Sequence, residues 1–291
     1  MTPAIVGIGQ ARPGRADSSA AALGTRAIAA ALRDAGVRLE EVDGIVRFDR
    51  EAAWEYDLPG LHRARRLGYY GAVPDTPGSG AALVRLAAMA VSQELARVVV
   101  AYHARDEPRA DVPSDVLAAA CGQAATEHRP APGKGGCAFV VLALGRPGRA
   151  RHVPVRVLGS LQVAVPSATR HLEAWLASRR EGVVRSAARG LFAGAGIRPN
   201  DVDVACLYAR PAALVRLALE DLDLRRDDDR PRVNPHAGLP VAVGLDGVDD
   251  VLEAVRQLRG DAVNQVRDAR VAIVASSPLE PTSAVLLGGL P

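Results

Sequence analysis

Apolar positions along the chain fall into two rhythms. Short, mainly apolar runs at residues 4–8, 44–47, 98–102, 137–144, 155–158, 204–208, 270–275 and 283–287 predict buried strands. Longer alanine- and leucine-rich stretches predict helices over about 18–34, 81–96, about 171–194, 211–222 and 248–259. A further short strand is predicted near 72–73, after a loop that carries Trp54, Tyr56, Tyr69 and Tyr70. The Gly/Pro turn at 77–80, the helix behind it and the strand at 98–102 form a βαβ unit, which sets helices on a mostly parallel sheet. Residues 105–135 are the least regular part. A helical patch at 114–126 lies there between proline-rich segments, and the stretch reads as a short lid or connector.

The pattern occurs twice. Residues 35–43, Ala-Gly-Val-Arg-Leu-Glu-Glu-Val-Asp, correspond to residues 195–203, Ala-Gly-Ile-Arg-Pro-Asn-Asp-Val-Asp. Each follows an alanine-rich helix and leads into an apolar strand. A second pair, residues 96–101 and 269–274, closes a helix and opens a buried strand in both places. A solenoid repeats every 20–50 residues or so, far less than the spacing of these copies, so they mark two domain-sized halves. The expectation is a duplicated α/β fold, with halves at 1–150 and 151–291 and its chemistry where they meet.

Composition narrows the function. The chain has 291 residues and a net charge of +3, and Lys134 is its sole lysine among 36 basic residues. Acids alternate with the arginines, as over 221–230, and aromatic residues make up only 3%, so a nucleic-acid surface is not expected. Three cysteines (Cys121, Cys137 and Cys206) supply neither a disulfide framework nor metal-ligand spacing, which suits a reducing, cytoplasmic setting. No 18-residue apolar run and no leader-like N-terminus are present, so the expectation is a soluble protein without a membrane span.

Several residues could carry chemistry. Gly7-Ile8-Gly9 follows the first strand, but the next glycine is Gly14, so the dinucleotide fingerprint fails and a tight strand exit is the simpler reading. Ser79 and Gly80 open the helix at 81–96, where free N–H groups suit an oxyanion; Ser79 is a nucleophile or a cap. Cys121 and His128 form a conceivable thiol–imidazole pair, against a buried structural cysteine. The six histidines (62, 103, 128, 152, 171 and 236) show no metal-binding spacing. His236 lies in a Gly/Pro turn before a helix, where loop residues often function, and Tyr208 ends an apolar strand at the sheet edge where open α/β sheets place ligands; a structural role is the alternative for each.

These residues carry a resemblance. Asn234-Pro-His-Ala-Gly238, residues 251–260, Asn264-Gln-Val266, residues 269–275 and the run from Pro281 resemble the C-terminal third of thiolase-like proteins of the sterol-carrier/lipid-transfer type. Residues 4–9, 34–37 and 42–45 resemble their start, and residues 136–142 the strand ending their first half. The resemblance covers most of the chain except about 50–72 and 108–133. It implies two βαβαβαββ halves in a layered α-β-α-β-α sandwich, with a CoA or acyl-carrier thioester as substrate and no permanent cofactor.

The departures from that pattern bear on activity. Thiolases place a nucleophilic cysteine where this chain reads Asp75-Thr-Pro-Gly-Ser-Gly80, and a Gly-His-Pro histidine where it reads Gly244-Leu-Asp246. Their second cysteine is matched by Ser276 or Ser277. In the aldolase branch a Tyr-Asp-x-Phe-Thr motif keeps only its tyrosine, Tyr208, and a second tyrosine falls at about Gly244. The inserted loop domain that covers CoA in the family shrinks to the stretch between Arg105 and Gly136. The resemblance therefore implies a degenerate subunit. It would pair with itself or a thiolase-like paralogue, or with an OB-fold acyl-CoA-binding protein, in a complex that makes or breaks C–C bonds. The alternatives are an active retro-aldol lyase or acyltransferase, with Tyr208 or His236 as base and Ser79, Gly80, Asn234 and Gly238 around the oxyanion and substrate, or a non-catalytic thioester binder.

Overall fold

The computed structural model describes residues 1–12, 19–49, 68–74, 76, 78–106, 116, 135–144, 152–208, 212–224, 231–236 and 245–289. The predicted patch at 114–126, apart from Val116, lies outside them, as do Trp54, Tyr56, Cys121 and His128.

The first half begins with β1 (Pro3–Ala11) and α1 (Ala20–Ala35). Ser19 caps α1 by accepting the Ala22 N–H at 3.3 Å, and Gly36 ends it at φ 66°. β1 runs past the predicted exit, so Gly7 and Gly9 lie within the strand. A Cβ at Gly9 would stand 2.1 Å from the Ala27 carbonyl oxygen, and one at Gly7 2.3 Å from that of Ala31. Close approach of α1 to β1, not a tight turn, is what these glycines permit.

β2 (Gly44–Phe48), β3 (Tyr69–Val73), α2 (Gly80–Ser92), β4 (Val98–Arg105) and β5 (Gly135–Ala143) complete this half. The second half runs β6 (Val155–Val163), α3 (Leu172–Arg180), α4 (Val183–Ala195), β7 (Val204–Leu207), α5 (Ala212–Asp221), β8 (Arg232–Val233), α6 (Val248–Arg259), β9 (Val271–Ala275) and β10 (Thr282–Gly288). The helix predicted over 171–194 is two helices, because Gly182 adopts φ 69° between α3 and α4. β8 was not expected, being only two residues long.

The strands follow the order β3-β2-β4-β5-β1-β6-β10-β9-β7-β8, which reads as the same arrangement from either end. Ala4–Arg156 and Ile5–Val155 join the two arms between β1 and β6. Within each arm the outer pairs are parallel and the inner ones antiparallel. The repeat has a structural purpose. The Asp43 carboxylate accepts the Arg97 and Val98 N–H groups at 2.7 and 2.8 Å. Asp203 does the same for Arg270 and Val271 at 2.7 and 3.0 Å. Each aspartate thus ties the start of one strand to the start of its parallel neighbour.

Strand alternation divides the side chains among three cores. Val99, Ala101, Cys137, Phe139, Cys206 and Val274 point inward and pack with α2 and α6. The opposite faces pack against α1 in one arm and against α3, α4 and α5 in the other. The layers are therefore α-β-α-β-α, with α2 and α6 central.

Candidate functional site

The N-termini of α2 and α6 meet at the centre of the molecule. Gly80 donates its N–H to the Asp246 carbonyl at 2.9 Å. A Cβ at Gly80 would lie 2.3 Å from the Gly247 carbonyl, so only glycine lets the two chains touch. Asp246 and Gly247 both adopt left-handed conformations, φ 47° and 82°. For an aspartate this is an uncommon state that surrounding structure must hold in place.

The Asp246 side chain, 1% exposed, is held from the opposite arm. Its Oδ2 lies 3.2 Å from His103 Nε2 and 3.1 Å from Arg105 Nη2. Both partners extend the inward face of β4 beyond Ala101. The Phe48 ring meets the His103 ring edge-on at 4.5 Å. The sequence reading missed this trio. Its one local signal is that two basic residues, at 103 and 105, continue the buried alternation of an apolar strand.

A second pair sits one helical turn away. His236 Nε2 lies 2.9 Å from Asp250 Oδ1, and both side chains are buried. His236 Nδ1 is buried without a hydrogen-bond partner among the described residues. Burial pushes the imidazole pKa down, but the Asp250 hydrogen bond and charge, with Asp249 and Glu253 beyond, outweigh it and raise the pKa above the ordinary histidine value. The surroundings favour the imidazolium. A brace runs behind the pair: Gln257 donates to Glu253 and to the Asn264 carbonyl, each at 2.8 Å, and Asn264 donates to the Pro235 carbonyl at 2.9 Å.

The other predicted residues surround the same helix ends with different duties. Tyr208 is half-buried, anchored by its N–H on the Ala275 carbonyl at 2.9 Å. It packs so closely on Gly78 that a Cβ there would stand 2.7 Å from the Tyr208 Cβ and from the Ser277 nitrogen. Ser79 is the N-cap residue of α2 but makes no side-chain cap. Its hydroxyl turns back to Thr76, donating to that carbonyl at 2.9 Å and pairing with its hydroxyl. The Gly80 N–H is engaged by Asp246, so in this conformation it is not presented to an oxyanion.

Asn234, at φ 44°, clamps the end of β7. Its Oδ1 accepts the Leu207 N–H at 2.6 Å and its Nδ2 donates to the Leu207 carbonyl at 3.0 Å. Gly238 and Gly244 lie outside the described residues. Ser276 accepts the Ser283 N–H at 2.9 Å and Ser277 accepts that of Leu279 at 3.3 Å.

Cys137 and Cys206 are fully buried, and burial above all, with the α6 acids adding to it, pushes both thiols well above their ordinary pKa. Neither is an activated nucleophile. Among the described residues no cluster of three His, Cys, Asp or Glu is arranged to hold a metal. No helix among them is long and apolar enough to cross a membrane.

No protein-family model matches the chain. Two curated proteins are similar. A steroid side-chain-cleaving aldolase of Thermomonospora curvata is 29% identical over 171 residues, 53% of this chain and 43% of that protein's length. A 17-hydroxy-3-oxo-4-pregnene-20-carboxyl-CoA lyase of Mycobacterium tuberculosis is 25% identical across 98% of this chain and 98% of that protein's length. Among solved structures, an Ltp2–ChsH2(DUF35) aldolase superposes with a TM-score of 0.77 at 22% identity, over 99% of this chain and 98% of that one. Human mitochondrial 3-ketoacyl-CoA thiolase gives 0.71 at 15%, over 100% and 99%. A monomeric SCP2-thiolase-like protein of Mycobacterium smegmatis gives 0.66 at 15%, over 99% and 78%. The fold is thiolase-like. Within that class the chain resembles the sterol-carrier/lipid-transfer type.

Proposed function

We propose that the protein is a C–C bond lyase that cleaves a β-hydroxyacyl thioester, such as an acyl-CoA, by a retro-aldol reaction. One observation carries this reading: buried histidine–aspartate pairs stand at the meeting of the central helices, where no reactive thiol is present among the described residues. Thiolysis needs a nucleophile that carries an acyl group. A retro-aldol cleavage needs only proton transfer and a donor for the enolate oxygen, so the loss of the cysteines disables the first reaction and spares the second. His236, braced by Asp250, supplies a charged donor, and the Tyr208 phenol from the end of β7 is the second candidate at the site. Two similar proteins carry aldolase or lyase names, and the lyase's substrate name places a hydroxyl on the carbon next to the one bearing the thioester carboxyl.

The test is to incubate the purified chain with 17-hydroxy-3-oxo-4-pregnene-20-carboxyl-CoA and simpler β-hydroxyacyl-CoAs, and to follow the ketone and shortened acyl-CoA by mass spectrometry. Cleavage by the chain, lost by about 10²-fold or more in His236→Ala or Tyr208→Phe, is the expected result. A second reading, the supporting subunit, is favoured by the missing nucleophile together with a structural neighbour that is named as two proteins. Under that reading cleavage appears only when a thiolase-like paralogue or an OB-fold partner is added. Neither substitution in this chain then changes it.

A further inference from the structure

We propose that the two buried pairs divide the proton transfers of this reaction, with His103, held by Asp246 and Arg105, as the base and His236, held by Asp250, as the acid. The inference rests on the lyase reading above and assigns a role to His103 that no sequence motif suggests. Three observations carry it.

The first is orientation. Asp246 faces Nε2 of His103 at 3.2 Å and Asp250 faces Nε2 of His236 at 2.9 Å. A carboxylate accepts, so each Nε2 bears the proton and each ring turns its Nδ1 away from its aspartate. The second is charge. Asp246 is shared with the Arg105 guanidinium at 3.1 Å, so His103 stands beside a carboxylate whose charge is already balanced. His236 instead faces Asp250 with Asp249 and Glu253 behind it, all buried on α6. In the first setting Nε2 is taken up by Asp246, which leaves Nδ1 as the atom that can accept a proton. The second suits an imidazolium with a proton on Nδ1, and that atom is buried without a hydrogen-bond partner among the described residues. Paired titratable groups whose surroundings differ in this way take opposite roles in acid–base catalysis.

The third observation is placement. Asp246 and Asp250 lie within about one helical turn at the start of α6, so both pairs flank the same helix ends. His103 also occupies the end of β4 as Ser276 occupies the end of β9, the strand related to β4 by the internal repeat. At the position where the second arm carries Ser276, the first arm carries an imidazole.

The chemistry balances. His103 Nδ1 takes the β-hydroxyl proton, and the freed O–H pair becomes the new carbonyl bond. The Cα–Cβ bond breaks and its electron pair enters the thioester as an enolate. His236 Nδ1–H hydrogen-bonds that enolate and delivers its proton to Cα. A ketone or aldehyde and a shortened acyl thioester result, and proton exchange with water resets both imidazoles.

The experiment separates two half-reactions in the full-length protein. Cleavage of 17-hydroxy-3-oxo-4-pregnene-20-carboxyl-CoA needs both groups. Exchange of the Cα hydrogens of propionyl-CoA or acetyl-CoA in deuterium oxide needs only His236. His103→Gln keeps a donor for Asp246 at the Nε2 position and removes the base.

This variant is expected to cleave about 10²- to 10⁴-fold more slowly, with KM little changed, the acid limb of the kcat/KM profile gone, and exchange retained. His236→Gln loses both reactions. Asp246→Asn, which still offers an oxygen and keeps the His103 imidazole, is the second variant and loses cleavage less severely. Undiminished cleavage in His103→Gln overturns the assignment and leaves the lyase reading standing. Loss of cleavage and exchange together with a lowered Tm in both position-103 and position-246 variants makes the trio structural and also overturns it. A wild-type protein that neither cleaves nor exchanges removes the lyase reading and this assignment with it.

Discussion

A carboxyl group buried beside an arginine is pushed both ways, and Asp221 shows which force is larger. It pairs with Arg179, whose guanidinium lies 5.3 Å from the Trp175 ring centroid. Trp175 is itself buried and donates to the Pro278 carbonyl at 2.9 Å. Burial raises the Asp221 pKa to about 6, with the Arg179 charge and hydrogen bond pulling it back only in part. The folded state therefore holds this proton more tightly than the unfolded chain, where the value is near 4. Stability contributed at this site is greatest below pH 4, declines as pH rises from about 4 to 6, and is flat above. Asp221→Asn should abolish that slope. Urea unfolding at pH 4, 5, 6 and 7 is expected to show the wild type losing about 2 kcal/mol relative to the variant across the interval. Parallel curves would mean that Asp221 titrates normally.

At the scale of elements, the repeat was legible because it does the same work twice. Asp43 and Asp203 close identical strand junctions, so both copies kept the same Ala-Gly, Arg and Val-Asp positions. Removing either carboxylate leaves two adjacent backbone N–H groups without acceptors, at about 1–3 kcal/mol each where water cannot replace them. Asp203 is 8% exposed and Asp43 only half-buried, so Asp203→Ala should cost about 3 kcal/mol and Asp43→Ala clearly less, by chemical denaturation. Equal costs would show that burial does not set the difference.

Other elements were not legible, for physical reasons. β8 is two residues long and carries no rhythm. The break at Gly182 depends on a left-handed backbone inside a stretch with helical composition on both sides. The site was legible only in part. Tyr208 and His236 were visible as loop and strand-end residues, but His103 and Asp246 are 143 positions apart and become partners only when the arms close. Long-range polar pairs leave no local pattern.

Across the whole molecule, the two halves share the core around α2 and α6, and a polar junction on the far side fastens them. Asp34, at the end of α1, accepts the Ile8 N–H at 2.9 Å and stands 3.1 Å from His152 Nε2. It also stands 2.8 Å from Arg259 Nη1, at the end of α6 in the other half. The Arg259 side chain is only 3% exposed, its Nε reaches the Val153 carbonyl at 3.3 Å, and its Nη2 is buried without a partner among the described residues. Removing the acid therefore strands a buried charge, whereas removing the arginine leaves a carboxylate that still has Ile8, His152 and more contact with water. Stranding a buried charge costs about 3–5 kcal/mol, and replacing it by an apolar chain of similar length costs far less. Asp34→Ala should thus be much more destabilising than Arg259→Met, and the double variant should recover part of the loss seen in Asp34→Ala alone. Unfolding should remain a single transition in all three, because the inner faces of both arms pack into one core and neither can keep that face buried without the other. Urea unfolding monitored by tryptophan fluorescence and circular dichroism measures both. A separate early transition in Asp34→Ala would mean that this junction, rather than the shared core, makes the halves fold as one.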